Sequence, residues 1–175
     1  MKIEKLAFAL LLLFLSSCQN NAYKYLSKRK YLECKQIGFV AQLSESYPYY
    51  EQFRDQTDIL QLHTYINSEN LRIRTYSYWA LLEKMEEGYL EVFDLALKET
   101  EVIGFHCGCT SSLENIAFST YLNFFEKEIK FEGDSMIIQK RFKKLYLLDS
   151  MIIHHPIQNE NLIKLAKKSG EYKTK

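Results

Sequence analysis

Phe105-His106-Cys107-Gly108-Cys109 is the cluster whose residue types and spacing best suit reactive chemistry. Sulfur and imidazole so closely spaced suit a soft or borderline metal, with His63, His154 or His155 available to complete the set. A Cys-x-Cys pair also suits dithiol redox chemistry. A structural zinc site, however, offers two paired ligand motifs, and the second is missing here. His106, Cys107 and Cys109 therefore stand as candidate ligands only. A disulfide or a buried pair of thiols is the favoured reading, and no metal or other cofactor is expected.

Two further groups carry charge in informative places. His154-His155 falls at the end of an expected helix, where the helix dipole favours a protonated imidazole. Asp149 lies among Leu145, Ile152 and Ile153 on an apolar stripe, where a lone carboxylate is costly. Arg74 is the expected partner, and the two read as a structural polar pair. No Ser/His/Asp elbow, phosphate-binding glycine loop, His-Glu-x-x-His motif or paired-carboxylate spacing occurs. No residue is assigned a catalytic role, and the chain is not expected to be an enzyme.

The elements that position these residues read as helices. Tyr31–Leu43 has Leu32, Phe39, Val40 and Leu43 on one side. Ser46-Tyr47-Pro48 starts a helix that runs to about Asp55. Thr57 caps the next, through Ile66, and Ser68 caps a longer one from Glu69 to Glu87, stopped by Gly88. A helix from Gly88 to about Lys98 follows. Residues 101–110 interrupt the helical pattern as a short irregular or extended segment. Ser111-Ser-Leu-Glu114 reads as a capping box opening a helix that Gly133 ends. Asp134 caps another, to about Ile153, and a last helix spans Glu160 to about Ser169.

The N-terminus carries a different signal. Lys2 and Lys5 precede an apolar run of ten, Leu6 to Leu15. A membrane span needs about 20 such residues, so ten suit the core of a signal peptide instead. Leu15-Ser16-Ser17-Cys18 resembles the lipobox of bacterial lipoproteins. That resemblance implies cleavage before Cys18 and acylation of its thiol and amino group, palmitate included. It implies anchoring in a bilayer of the cell envelope, and stable attachment takes two or more chains. Gln19, rather than aspartate, in the second mature position implies the outer membrane over the inner, with the domain facing the periplasm or the cell surface.

Cleavage leaves 158 residues, enough for one domain, expected as a lipidated tether (18–30), a single helical domain (31–170) and a polar tail (171–175). Loss of Lys2, Lys5 and Glu4 takes 23 basic and 22 acidic residues to 21 of each. That balance argues against nucleic acid as a partner. Six Gly and two Pro disfavour a many-stranded sandwich. With Cys18 acylated, Cys34, Cys107 and Cys109 remain. Thiols tend to oxidise beyond the inner membrane, and an odd count allows one intramolecular disulfide. Cys34 with Cys107 or Cys109 is the expected pairing.

Ile73-Arg74-x-x-Ser77-x-x-Ala80-Leu81 resembles the second helix of a HEAT-type repeat, and Asp58–Leu62 with Asn67–Asn70 the first helix and its hairpin. The resemblance covers residues 57–87. Ile157–Leu162 echoes Ile66–Leu71. It implies an all-α fold of antiparallel helix pairs in a superhelical arrangement. The expected function is that of a membrane-anchored, non-enzymatic protein-binding or scaffold module contacting another envelope protein. A toxin-neutralising immunity protein and a small metal- or thiol-dependent enzyme centred on His106, Cys107 and Cys109 are the alternatives.

Overall fold

The computed structural model describes residues 21–38, 40–132, 135–138, 142–157 and 159–172. The signal segment, Cys18 and the helix signals at Gly133 and Asp134 lie outside the described residues. Helix α1 (Asn21–Leu26) leads into strands β1 (Leu32–Ile37) and β2 (Gln42–Leu43). Four helices follow: α2 (Tyr47–Gln56), α3 (Ile59–Tyr65), α4 (Leu71–Lys84) and α5 (Tyr89–Lys98). Strands β3 (Val102–Gly108) and β4 (Thr110–Asn115) come next, then α6 (Ile116–Glu128) and a small hairpin of β5 (Ile129–Glu132) and β6 (Ser135–Ile138). Helices α7 (Phe142–His154) and α8 (Glu160–Tyr172) complete the order.

The expected all-α fold is overturned. The fold is mixed α/β, with a four-stranded sheet in the order β2-β1-β3-β4. β1 and β3 are parallel, and the pairs β1–β2 and β3–β4 are antiparallel. A parallel pair needs a long crossover, supplied here by α2 to α5. The stretch expected as a helix over Tyr31–Leu43 contains β1 and β2, because the backbone of β1 pairs with β3 on one side and with β2 on the other. The capping box expected at Ser111–Glu114 lies instead in β4, and the helix starts at Ile116. The segment near 101–110 is extended, as β3. The residues expected as tether include α1, whose Ala22 and Leu26 are fully buried.

The HEAT-like arrangement fails for a physical reason. A repeat helix keeps one face in solvent, whereas α4 is buried from Thr75 to Glu83 and touches α1, α2, α3, α5 and α6. It is the central helix of one core. Asn70 caps it, its side chain accepting from the backbone N–H of Arg72 and Ile73 at 3.1 and 3.2 Å. Asp58 caps α3, accepting from Gln61 at 2.7 Å. Fully buried Trp79 meets Tyr50, Tyr76 and Phe105 edge-on at ring separations of 5.4, 5.1 and 6.1 Å, joining α2, α4 and the sheet. Such rings bury large apolar areas and supply much of the driving force for a chain this size.

Candidate functional site

Strand alternation decides what the Phe105–Cys109 cluster becomes. Ile103, Phe105 and Cys107 are buried, while Val102 and Gly108 are exposed and Gly104 and His106 half-buried. Successive side chains on a strand take opposite faces, so Cys107 points into the core and His106 away from it. Cys109 lies beyond the strand, in the two-residue turn implied by the register Cys107↔Thr110. Gly108 supplies the positive φ (54°) that such a turn needs at its first position. Cys109 is exposed, with its thiol donating to the Gly38 carbonyl at 3.6 Å. The three candidate ligands His106, Cys107 and Cys109 therefore do not converge.

The parallel register Glu33↔His106 sets Cys34 beside Cys107. The two are joined as a disulfide with a Cα separation of 4.9 Å, across 73 residues of sequence. Closing a loop of that length removes unfolded-state entropy worth about 4 kcal/mol on chain-entropy grounds. Cys34 is fully buried and Cys107 nearly so.

Glu126 of α6 completes the centre. Its Oε1 lies 3.0 Å from Cys107 Sγ. A disulfide sulfur carries no proton, so the hydrogen in this contact can come only from the carboxyl. Although Glu126 is an exposed residue, the packing around its carboxyl withdraws water and pushes its pKa up to about 7. A protonated Glu126 is thus the form that satisfies the contact. Cys34, Cys107 and Glu126 offer ligand atoms within 4.8 Å of one another, but the two sulfurs are spent on each other.

On the outer face, the Tyr31 ring stacks on His106 at 4.3 Å. Tyr31 also covers Gly104, where an added Cβ would stand 2.4 Å from its Cδ1. Glu33, paired with His106, has its carboxylate taken by Arg29 at 3.2 Å, by the Ser46 N–H at 3.4 Å and by the Ser44 hydroxyl. Burial works against ionisation there, but these donors outweigh it and hold the carboxyl below the usual range.

The other expected site residues have separate environments. Arg74 pairs with Glu101 and, at 3.9 Å, with Glu99. Asp149 accepts from the Tyr121 hydroxyl and from Ser169 Oγ at 3.1 Å. The expected Arg74–Asp149 pair is not formed: Asp149 is indeed buried, and hydroxyls satisfy it. His154 ends α7, with Nδ1 2.7 Å from the Ser150 carbonyl. His155 is buried, and the Ile157 N–H donates to its Nδ1 at 3.1 Å. Its Nε2 lies 3.2 Å from Asp94. His63 lies on α3 and is not among the residues whose ligand atoms gather at the sulfur centre.

Sequence reasoning missed the most heavily bonded carboxylate. Glu83 is buried at the end of α4 and accepts from Arg54 at 2.9 Å, Asn123 at 2.8 Å, the Tyr50 hydroxyl and Lys127. These donors engage both carboxylate oxygens and tie α2, α4 and α6 together. The one clue in the sequence is a charge directly following the apolar run Trp79-Ala80-Leu81-Leu82.

No protein-family model, curated protein or solved structure matches this chain. Among the described residues, no helix is long and apolar enough to cross a membrane.

Proposed function

We propose that the chain is a lipid-anchored protein of the bacterial envelope, held on a bilayer by acyl chains on Cys18, whose domain is a non-enzymatic protein-binding module. The observation that carries the location is the Cys34–Cys107 disulfide. Disulfides persist in oxidising compartments and are rare in the cytosol, which agrees with the export signal of the first eighteen residues. The non-enzymatic reading is supported by how the buried carboxylates are used. Glu33, Glu83 and Asp149 are engaged by donors from neighbouring elements. A surface for a protein partner is available on the outer face of β3 and β4, where Val102 and Leu113 are 55% and 73% exposed.

The test is the chemistry of the N-terminus. Mass spectrometry of the protein recovered from membranes should find residues 1–17 removed and Cys18 carrying diacylglycerol and an N-acyl chain. A Cys18→Ala variant should leave the membrane fraction or remain unprocessed. An unmodified Cys18 in a processed, soluble chain overturns the anchor. Crosslinking from position 113 should then capture a discrete envelope protein; labelling no stronger than from a position on α8 overturns the binding module.

One observation favours a thiol-dependent alternative, the Glu126 carboxyl beside Cys107. If an external thiolate attacks Cys34 Sγ and forms a mixed disulfide with it, the displaced Cys107 thiolate takes the Glu126 proton.

A further inference from the structure

The domain has almost no slack between its fold and Cys18. Helix α1 begins at Asn21 and is fixed from its second residue, with Ala22 and Leu26 fully buried. Tyr23 packs on Tyr65 at 5.2 Å and on Phe53 at 6.5 Å. Just beyond the helix, Asn70 Nδ2 donates to the Ser27 carbonyl at 3.0 Å and Arg72 to the Lys30 carbonyl at 3.2 Å. Only Gln19 and Asn20 separate Cys18 from Asn21. Three residue steps reach at most about 11 Å when fully extended. With Cys18 acylated, Asn21 must therefore lie within about 11 Å of the Cys18 Cα, with the glycerol one thioether side chain beyond it, and the surface around Asn21 must lie close to the headgroups.

That surface carries an open cleft of about 470 Å³ lined by Asn21, Lys24, Tyr25, Lys28, Tyr49 and Gln52. No acidic residue lines it. Lys24 and Lys28 are exposed, and neither forms an ion pair with a described residue. The basic neighbour that is engaged, Arg29, is held by Glu33. The Tyr25 and Tyr49 rings stack at 3.8 Å across α1 and α2. Lysines with tyrosines are what an interface selects: ammonium groups meet phosphate, and amphipathic rings sit at headgroup depth.

We propose that this cleft seats the phosphodiester headgroup of a phospholipid in the membrane that holds Cys18. Lys24 and Lys28 meet the phosphate, Asn21 and Gln52 offer amide donors, and the Tyr25–Tyr49 stack rests at the level of the glycerol. The proposal rests on the lipid-anchor reading, and it turns the anchor from a leash into a docking contact that fixes which face of the domain looks away from the membrane.

The experiment is lysine acetylation footprinting read by mass spectrometry, which also reports the acylation of Cys18 in the same digest. Acylated protein is compared in detergent micelles, in phosphatidylcholine vesicles, in vesicles containing one quarter phosphatidylglycerol, and in micelles with inorganic phosphate. Lys24 and Lys28 should be labelled at least five-fold more slowly in vesicles than in micelles, most strongly with phosphatidylglycerol. Lys98 and Lys164, with side chains 57% and 75% exposed, serve as unprotected references and should not change. Equal labelling of Lys24 and Lys28 in vesicles and micelles, with Cys18 shown to be acylated, overturns the cleft while leaving the anchor standing. Protection by inorganic phosphate as strong as by vesicles overturns it in favour of a soluble anion. If Cys18 proves unacylated, the anchor reading fails, and the same footprint with vesicles added to the unanchored chain decides the cleft alone. Protection then supports headgroup binding, and none overturns it.

Discussion

Glu126 places its carboxyl oxygen 3.0 Å from Cys107, a sulfur already bonded to Cys34. Burial raises this carboxyl from its ordinary 4.5 to about 7, so folding favours its protonated form. The sign of the consequence follows from proton counting. Between about 4.5 and 7 the folded chain holds a proton that the unfolded chain has lost, so stability falls as pH rises through that window. It is highest, as far as this group matters, below 4.5. Glu126→Gln never ionises and escapes the loss. Thermal unfolding should show the variant close to the parent at pH 4 and more stable at pH 8, by on the order of 1 kcal/mol once the residue's exposure is discounted. A difference that does not change with pH would refute the assignment.

The disulfide itself has a separate signature. Cys34→Ala removes a bond that closes a long loop and opens a void in a fully buried site, and should cost about 2–5 kcal/mol in urea unfolding. Cys109→Ser, at the exposed turn, should stay within about 0.5 kcal/mol of the parent. Thiol titration of denatured, unreduced mature protein should return one reactive thiol, from Cys109. Three would mean that the disulfide is absent.

Much of the helical half was legible because its signals are local. The helix Leu71–Lys84 is legible from its local pattern as Glu69 to Glu87, off by two residues at the start and three at the end, with the cap at Asn70 where the sequence pointed to Ser68. The sheet was not legible, because β1 gains its identity from β3, about 70 residues away. Leu32, Val40 and Leu43 look like one helical face until Cys34 is laid beside Cys107. The choice of Cys107 over Cys109 likewise needs the strand, whose alternation turns 107 inward and leaves 109 in the turn. At Asp149 the apolar stripe marks a lone carboxylate as costly, but the hydroxyls of Tyr121 and Ser169 that reach it come from other helices. Arg74 goes instead to Glu99 and Glu101, just after α5. Glu126 offers no local clue, since its setting depends on α6 packing against β3 and β4.

The outer face of the sheet is held by a close approach. Gly104 has room for hydrogen only, with the Tyr31 ring where a Cβ would point. Gly104→Ala should therefore push Tyr31 off its stack on His106 and destabilise the domain by about 1–3 kcal/mol. In a Tyr31→Ala background the same change should cost much less. A double-mutant cycle by chemical denaturation measures the coupling, and additive costs would show that Tyr31 is not the obstacle.

Glu83 is where the fold is most exposed to a single change. Its carboxylate is approached by two cations, Arg54 of α2 and Lys127 of α6, and by the neutral donors Tyr50 and Asn123. Burial already works against the charge on Lys127, lowering its pKa, and Glu83 opposes that effect. Removing the carboxylate leaves Lys127 half-buried without Glu83, while Arg54 keeps its ion pair with Asp55 at 2.7 Å. Glu83→Ala should then cost about 3–5 kcal/mol, as expected when one member of a buried ionic group is lost. Glu83→Gln keeps the volume and an acceptor oxygen but not the charge, so it should fall between the two. If the loss comes from the stranded cation, combining Glu83→Gln with Lys127→Met should recover part of it, because that cation goes and its stem volume stays. Urea unfolding of the four proteins decides the point: a double variant no more stable than Glu83→Gln alone would mean that the hydrogen bonds to Tyr50 and Asn123, and not the charges, hold the three helices together.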